Sequence, residues 1–459
     1  MTRSASEHAK NRETEFVEQL KDLLRIPSIS TLTTHKSYIE RAAEWLRDHC
    51  LAIGMTRAEI YPTPGHPIVY AEWLGAGKAA PTLLVYGHYD VQPVDGVWNQ
   101  EDPFEPVERG GNLYARGATD DKGQLFVHLK AFDAIMKATG SFPMNFKVMF
   151  EGEEEIASVH LNAFIEKHLD MLTADVVVIS DNHIQGIDDP SIIYGLRGLT
   201  YMEIEVTGPD HDLHSGAYGG AVHNPALALV QILHRMHDEQ GHILVPGFYD
   251  EVVPLTDEER KALSAVPFTE AMLKAQTGAD KLWGEPEFTA RERIGARPTL
   301  EINGIWGGWT GEGQKTIIPA KATAKVSCRL VANQNPKRIY ELVKAYVARI
   351  TPDTVRSEVR LLSTGDSALV PLDSEAMQVA VEAYEAVFGK KPTFMREGGS
   401  IPVVATYNRL MKAPVVMMGF GLPDDNLHAP NEKITLKMFH RGIQTMIHFY
   451  QNLPKHFGK

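Results

Sequence analysis

The sequence predicts an α/β fold: a mixed, mostly parallel sheet flanked by helices, interrupted by an inserted α+β domain. Three observations predict it. Runs at 82–86, 146–150 and 176–180 are short, nearly all apolar and rich in Val and Leu, the pattern of strands buried on both faces. The middle of the chain changes character: "LTYMEIEVTG" (199–208), "KATAKVSCRLV" (321–331) and "VRSEVRLL" (355–362) alternate apolar with polar, as half-exposed strands do. The chain is also 459 residues long, more than one core usually serves.

The elements follow in order. Residues 13–25 and 37–50 read as helices; in the second, Tyr38, Ile39, Ala42, Trp45 and Leu46 recur at steps of three and four. Residues 68–73 and 82–86 read as strands. A helix over Lys122–Thr139 shows Leu125, Leu129, Phe132 and Met136 on one face and stops at Gly140. Strands at 146–150 and 176–180 complete the first apolar set, and helices between them suit a layered sheet. After the alternating strand at 199–208, Asn224 caps and Pro225 opens a helix running toward His237. A helix over 337–350 separates the other two alternating strands. The last section has a helix over 374–388 ended by Gly389, an apolar run at 413–418 and a final helix. Residues 195–367 therefore read as a domain inserted into one built from 1–194 and 368–459.

Composition narrows the function. About 43% of the chain is apolar, and 46 basic residues face 59 acidic ones, a net charge of −13. That disfavours nucleic acid and anionic membrane surfaces as partners. Two cysteines, Cys50 and Cys328, offer neither a disulfide framework nor a thiolate metal cluster. No apolar N-terminal segment reads as a signal peptide, and no run reaches the length of a membrane helix. The expectation is a cytoplasmic protein.

Ligands of open α/β sheets bind beyond the carboxyl ends of the strands, and here those ends are rich in acids and histidines. Residues 82–86 lead to His88 and Asp90, 146–150 to "EGEEEIAS", and 176–180 to Asp181. "GATDDKGQ" places Asp120 and Asp121 before a helix, and "LHAPNE" places His428 in a loop. Taken singly, each has an ordinary explanation: a hydrogen-bonded surface histidine, a helix cap, a solvated acidic loop. Gathered at one sheet edge, however, so many carboxylates would repel unless cations neutralised them. Imidazole and carboxylate without thiolate suit zinc or manganese. Two histidines with several carboxylates exceed the needs of one tetrahedral ion, so two cations sharing a carboxylate fit better. His88 would bind through one ring nitrogen while Asp90 accepts from the other N–H and fixes the tautomer.

Seven ordered stretches, "GHYDVQP", "ARGATDDKG", "EGEEEIAS", "ISDN", "HDLHSGAYGG", "REGGSIPV" and "HAPNE", resemble the motifs of the dinuclear metallopeptidase family that includes carnosine dipeptidase, glutamate carboxypeptidase and aminoacylase. "DLHSGAYGG" and "YGLRG" resemble the dipeptidase branch. The resemblance implies a metallohydrolase with two divalent cations per subunit, zinc first, with manganese or cobalt accepted by the same ligands. It implies that His88 and Asp181 hold one ion, Glu155 and His428 the other, and that Asp120 bridges them, with Asp121 a neighbour. Glu154 becomes the general base, although spacing alone does not choose among Glu153, Glu154 and Glu155. Ala157 stands where the family often has Gly. A hydroxide-like water bridging the metals would attack the amide carbonyl, and Glu154 would carry its proton to the departing amine.

The inserted domain, by the same resemblance, is a lid and dimer interface, and His214 acts across a homodimer. Arg329 and Ser400 hold the substrate's free carboxylate, with Thr316 added from the partner subunit. The turn through Gly399, ahead of a helical 403–410, offers backbone N–H groups to that anion. The expected reaction is hydrolysis of dipeptides or short peptides with a free C-terminal carboxylate. Its rivals are an N-acyl-amino-acid deacylase or desuccinylase with the same centre, and a non-catalytic, metal-stabilised dimeric binding protein. The general base and all five ligand candidates argue against the last.

Overall fold

The apolar runs become the centre of one sheet. Side by side across it lie Arg57–Tyr61, Ile68–Trp73, Asn145–Glu151, Thr82–His88, Val176–Ile179, Val415–Met417 and Ser191–Leu196. Thr82–His88 is parallel to both neighbours, and Val415–Met417 is parallel to Val176–Ile179. The outer pairings are antiparallel. The parallel centre is where Val and Leu are densest: Leu83, Leu84, Val85, Val148, Val177 and Val178 are all fully buried, each such side chain worth about 1.5–3 kcal/mol of transfer free energy. The structure, a computed structural model, describes residues 4–265, 268–398 and 402–457.

From Thr82–His88 the chain crosses through the helix Lys122–Thr139 to Asn145–Glu151 on one side. It then goes to Val176–Ile179 on the other side of the starting strand. The strand order reverses there, which opens a crevice at the carboxyl ends. Gly140 closes the crossover helix in the left-handed conformation, φ 74°, as its position in the sequence suggests. The helix packs against the C-terminal helix Leu436–Asn452. A small antiparallel sheet of Val107–Arg109, Asn112–Tyr114 and Lys433–Thr435 joins the loop ahead of the crossover helix to the loop ahead of the C-terminal one.

The chain divides into two compact units. The first holds everything up to Tyr194, then Val370–Phe394, then the chain from Val403 onward; the second is Gly195–Leu369 together with Met395–Pro402. The second unit is a four-stranded antiparallel sheet in the order Thr299–Gly307, Lys321–Leu330, Gly198–Thr207, Arg356–Gly365. Helices Pro225–His234 and Pro336–Ile350 cover one face through Leu229, Ile232, Val343 and Val347, packed on Met202, Ile204, Ala324 and Val326. Asn224 caps the first of these helices, accepting from Ala226 N–H.

Sequence periodicity did not indicate the strand Thr299–Gly307 or the short helices Asp257–Ala265, Glu270–Thr277 and Ala290–Ala296. The strand carries a register shift between Ile302 and Gly304, which breaks the alternation that would have marked it. The first two helices are largely exposed and carry little apolar pattern. No helix among the described residues is long and apolar enough to cross a membrane.

Candidate active site

The strand reversal gathers the acids and histidines of the first unit. In the parallel register His88 lies opposite Glu151, and Tyr86 opposite Ile179. The chain leaving each strand end therefore starts from the same edge. His88 is completely buried, and its main-chain N–H donates to Asp121 Oδ2 at 3.2 Å. A Cβ on Gly87 would stand 2.8 Å from that same oxygen, so the glycine of "GHYD" makes room for the aspartate. Asp120 and Asp121 are joined by a cis peptide bond.

Asp120 lies between the two imidazoles. His88 Nε2 is 3.1 Å from its Oδ1, and His428 Nε2 is 2.9 Å from its Oδ2. Asp181 Oδ2 lies 3.9 Å from His88 Nε2, and Glu155 Oε2 lies 3.3 Å from His428 Nε2. Two groups could each hold a cation: His88 with Glu154 and Asp181, and Asp120 with Glu155 and His428. Within each, the ligand atoms lie within 4.8 Å of one another. His428 sits in the left-handed region, φ 58°, and its side chain is 56% exposed, so the site opens to solvent on that side.

The electrostatics of the pocket favour positive charge. Hydrogen bonds to Asp120 and Glu155 push His428 up to about 10. His88, although burial works against its charge, is raised well above the usual imidazole range by Asp120, Asp90 and Asp181. Burial raises Asp181 to about 7, with Asp120 and Glu155 adding to the shift. Burial and the neighbouring Asp181 and Glu155 also hold Glu154 well above a normal carboxylate. Burial and neighbouring carboxylates thus work against the negative charge of Glu154 and Asp181, while Asp120 and Glu155 favour positive charge beside them on the two imidazoles. A nitrogen-and-oxygen donor set with that appetite for positive charge fits divalent cations.

The glutamates sort by contact. Glu151 accepts from Ser158 Oγ at 2.9 Å and from the Tyr86 hydroxyl. Glu153 accepts from His66 N–H at 2.9 Å and pairs with His160. Both support the loop, leaving Glu154 and Glu155 for the site. Asp90 behaves differently from the sequence expectation. The oxygen nearest His88 Nδ1 is its main-chain carbonyl, at 3.0 Å, with the carboxylate at 3.5 Å. That carboxylate is occupied by the backbone N–H groups of Glu154 and Glu155, at 3.2 and 3.1 Å. Asp90 therefore fixes the imidazole mainly through its backbone and uses its side chain to hold the glutamate turn.

Sequence reasoning assigned no role to two supporting residues here. Gln92 Nε2 donates to Glu155 Oε2 at 2.8 Å. Glu432 is fully buried and accepts from the main chain beside Asp120. Both stand inside the quoted motifs, which was the only signal that could have found them.

The remaining candidates lie in the second unit. His214 pairs with Ile317 in a two-stranded ribbon, and Ser215 N–H donates to Thr316 O at 3.0 Å, so His214 and Thr316 are neighbours. Both are exposed. His214 Nδ1 accepts from Gly216 N–H at 3.0 Å, which leaves Nε2 as the protonated nitrogen of a neutral ring. Arg329 is half-buried on the strand Lys321–Leu330, opposite Thr299 and Leu199, and burial lowers its pKa. Gly399 and Ser400 lie outside the described residues.

Residues 84–452 match the model of "Peptidase family M20/M25/M40". The Cys-Gly metallodipeptidase dug1 of Schizosaccharomyces pombe is 36% identical over 96% of this chain and 95% of that protein. The solved structure of the di-peptidase Dug1p from Saccharomyces cerevisiae superposes with a TM-score of 0.85 at 31% identity, covering 98% of both chains. Human carnosine dipeptidase 1 does so with a TM-score of 0.84 at 31% identity, again over 98% of both. The chain belongs to peptidase family M20/M25/M40, stands with its dipeptidase branch, and is a hydrolase of that family.

Proposed function

We propose that this protein hydrolyses the amide bond of dipeptides or short peptides that carry a free C-terminal carboxylate. The observation that carries the reading is the placement of Asp120, one carboxylate oxygen toward His88 and the other toward His428. In this reading His88 and Asp181 hold one divalent cation, Glu155 and His428 the other, and Asp120 serves both. Zinc suits the donor set, and manganese or cobalt would accept it. Bound there, the cations supply an acidified water and polarise the scissile carbonyl.

Glu154 takes the proton of the attacking water and delivers it to the leaving amine nitrogen. Its adjacency to Glu155 supports the division of labour: the backbone N–H groups of both are fixed by the Asp90 carboxylate. The second unit acts as lid and dimer interface. The partner subunit's His214, protonated on Nε2, donates to the carbonyl oxygen as charge builds there. Arg329 clamps the substrate carboxylate bidentately, helped by Ser400, Gly399 and the partner subunit's Thr316. Support for a homodimer comes from the edge strand Thr299–Gly307, which exposes Ile302, Ile305 and Trp306; long apolar edges are usually covered. Cys50 and Cys328 are buried and unpaired, which suits a reducing compartment, and we assign the cytoplasm.

The test combines metal content per chain with turnover on a panel of dipeptides and N-acyl amino acids. We expect two divalent cations and dipeptide cleavage. Deacylation without dipeptide turnover would replace the substrate class. Glu154→Ala should keep fold and metal and lose at least a hundredfold in kcat; unchanged turnover would remove Glu154 as the base.

A further inference from the structure

Glu432 is the last residue of "HAPNE", and the mechanism above does not use it. Its carboxylate is fully buried and saturated by donors from one short stretch of chain. Oε2 accepts from Arg116 Nη1 at 2.8 Å and from Gly117 N–H at 2.9 Å. Oε1 accepts from Thr119 N–H at 3.0 Å and from Asp120 N–H at 3.1 Å. Its main-chain oxygen takes Ala115 N–H at 3.1 Å. Glu432 therefore grips the loop 115–120 along its length, ending on the residue whose side chain lies between the two histidines.

The same contacts reach the other side of the site. Glu432 closes the loop that carries His428, and that loop is anchored at both ends to the same strip of chain. Asp425 accepts from Lys433 Nζ at 2.9 Å and from Thr119 Oγ1 at 3.0 Å, and Lys433 N–H donates to the Asp425 carbonyl at 3.0 Å. Thr119 Oγ1 also lies 2.7 Å from the Lys433 carbonyl. Asp120 and His428 are far apart in sequence, and the contact between them is held by this junction.

We propose that Glu432 is a positioning residue that sets the separation of Asp120 from His428, and so the affinity of the cation pocket formed by Asp120, Glu155 and His428. The inference rests on the metal-binding reading of that site. His88 and Asp181 hang from strand ends in the sheet, so the other pocket depends on Glu432 only through Asp120. Removing a hydrogen-bond partner that orients metal ligands typically costs 10–100-fold in affinity. Glu432→Gln puts an NH2 group against two of the four donors and removes the charge that answers Arg116.

The experiment is calorimetric titration of the metal-free full-length protein with zinc or manganese, beside a Glu432→Gln variant and a His428→Ala control. We expect two binding steps in the wild type. In Glu432→Gln one step should weaken about 10–100-fold and the other less than about tenfold. The weakened step should be the one that His428→Ala abolishes, and excess metal should restore kcat. A purely structural role would lower the melting temperature of the metal-free protein and leave both affinities intact; that result overturns the proposal. Should Glu432→Gln not fold, Arg116→Lys, which keeps the cation and loses the fixed guanidinium fork, must weaken the same step by a smaller factor, and unchanged affinity there overturns the proposal equally. A wild type that binds no cation at all would sink the metal reading itself, a separate outcome.

Discussion

Glu151, Glu153, Glu154 and Glu155 fall within five positions, and their sequence neighbourhood treats them alike. Their contacts do not: Ser158, His66 and His160 claim the first two, and the last two are left facing histidines and aspartates. A role of this kind is decided by which side-chain and main-chain donors the fold delivers, and that cannot be read from spacing. Ala157, next to this turn, was legible as a departure from the family pattern, and the structure gives its physical meaning. Its φ is 71°, a left-handed conformation that costs an L-residue roughly 1–2 kcal/mol. Glycine would remove that strain but enlarge the unfolded ensemble by about 0.4–1 kcal/mol. Ala157→Gly should therefore stabilise by about 0.5–1 kcal/mol, read as a higher urea midpoint; a lower midpoint would refute the strain. His49 supplies a pH dependence. It stacks on Trp45 at 4.7 Å, and burial drives its pKa down to about 2. Its Nε2 is sealed from water with no hydrogen-bond partner among the described residues. The unfolded imidazole titrates near 6.5, so the unfolded chain binds the extra proton between those values. The associated stability is whole above about pH 6.5 and is lost as pH falls toward 2. The ring is partly exposed, so we discount the full linkage to roughly 1–2 kcal/mol at pH 4.5. His49→Phe in metal-free protein should lose that much less between pH 7.5 and 4.5 in urea melts, and an identical acid loss would clear His49.

At the scale of elements, the parallel strands and the crossover helix were legible because apolar runs and helical periodicity survive in any context. The bulged edge strand Thr299–Gly307 was not, because its shifted register hides the two-residue repeat. The supporting roles of Gln92 and Glu432 were equally hidden, since a side-chain amide donating to a glutamate and a carboxylate accepting from backbone N–H groups leave no periodic trace. The loop before the crossover helix shows how an element's first turn can be fixed by one small residue. A Cβ on Gly123 would lie 1.9 Å from the Ala118 carbonyl oxygen, too close for any accommodation without moving the backbone between Ala118 and Asp120. Gly123→Ala should cost about 2–4 kcal/mol and weaken cation binding together with stability. A variant that melts like the wild type would show that the loop has room to spare.

For the whole molecule, a two-part chain was anticipated from length and from the change in strand pattern, and its assembly is a separate question. If the exposed edge of the second unit joins two copies, replacing both Ile305 and Trp306 with Asp should give monomers in light scattering, with each unit's fold retained by circular dichroism. Turnover should fall by orders of magnitude, because His214 would no longer be presented by a neighbouring copy. Dimers persisting in the double variant would move the interface elsewhere. The division of the chain has one more consequence. The second unit is completed by the segment Met395–Pro402, whose Arg396 pairs with Glu259 and whose Gly398 carbonyl receives Arg197 Nε at 3.2 Å. The chain therefore enters that unit twice, and it is no detachable cassette. A chimera that transplanted Gly195–Leu369 alone from one relative to another would take Glu259 and Arg197 from one parent and Arg396 and Gly398 from the other, so exchange of specificity by recombination has to carry the distant strip along with the main block.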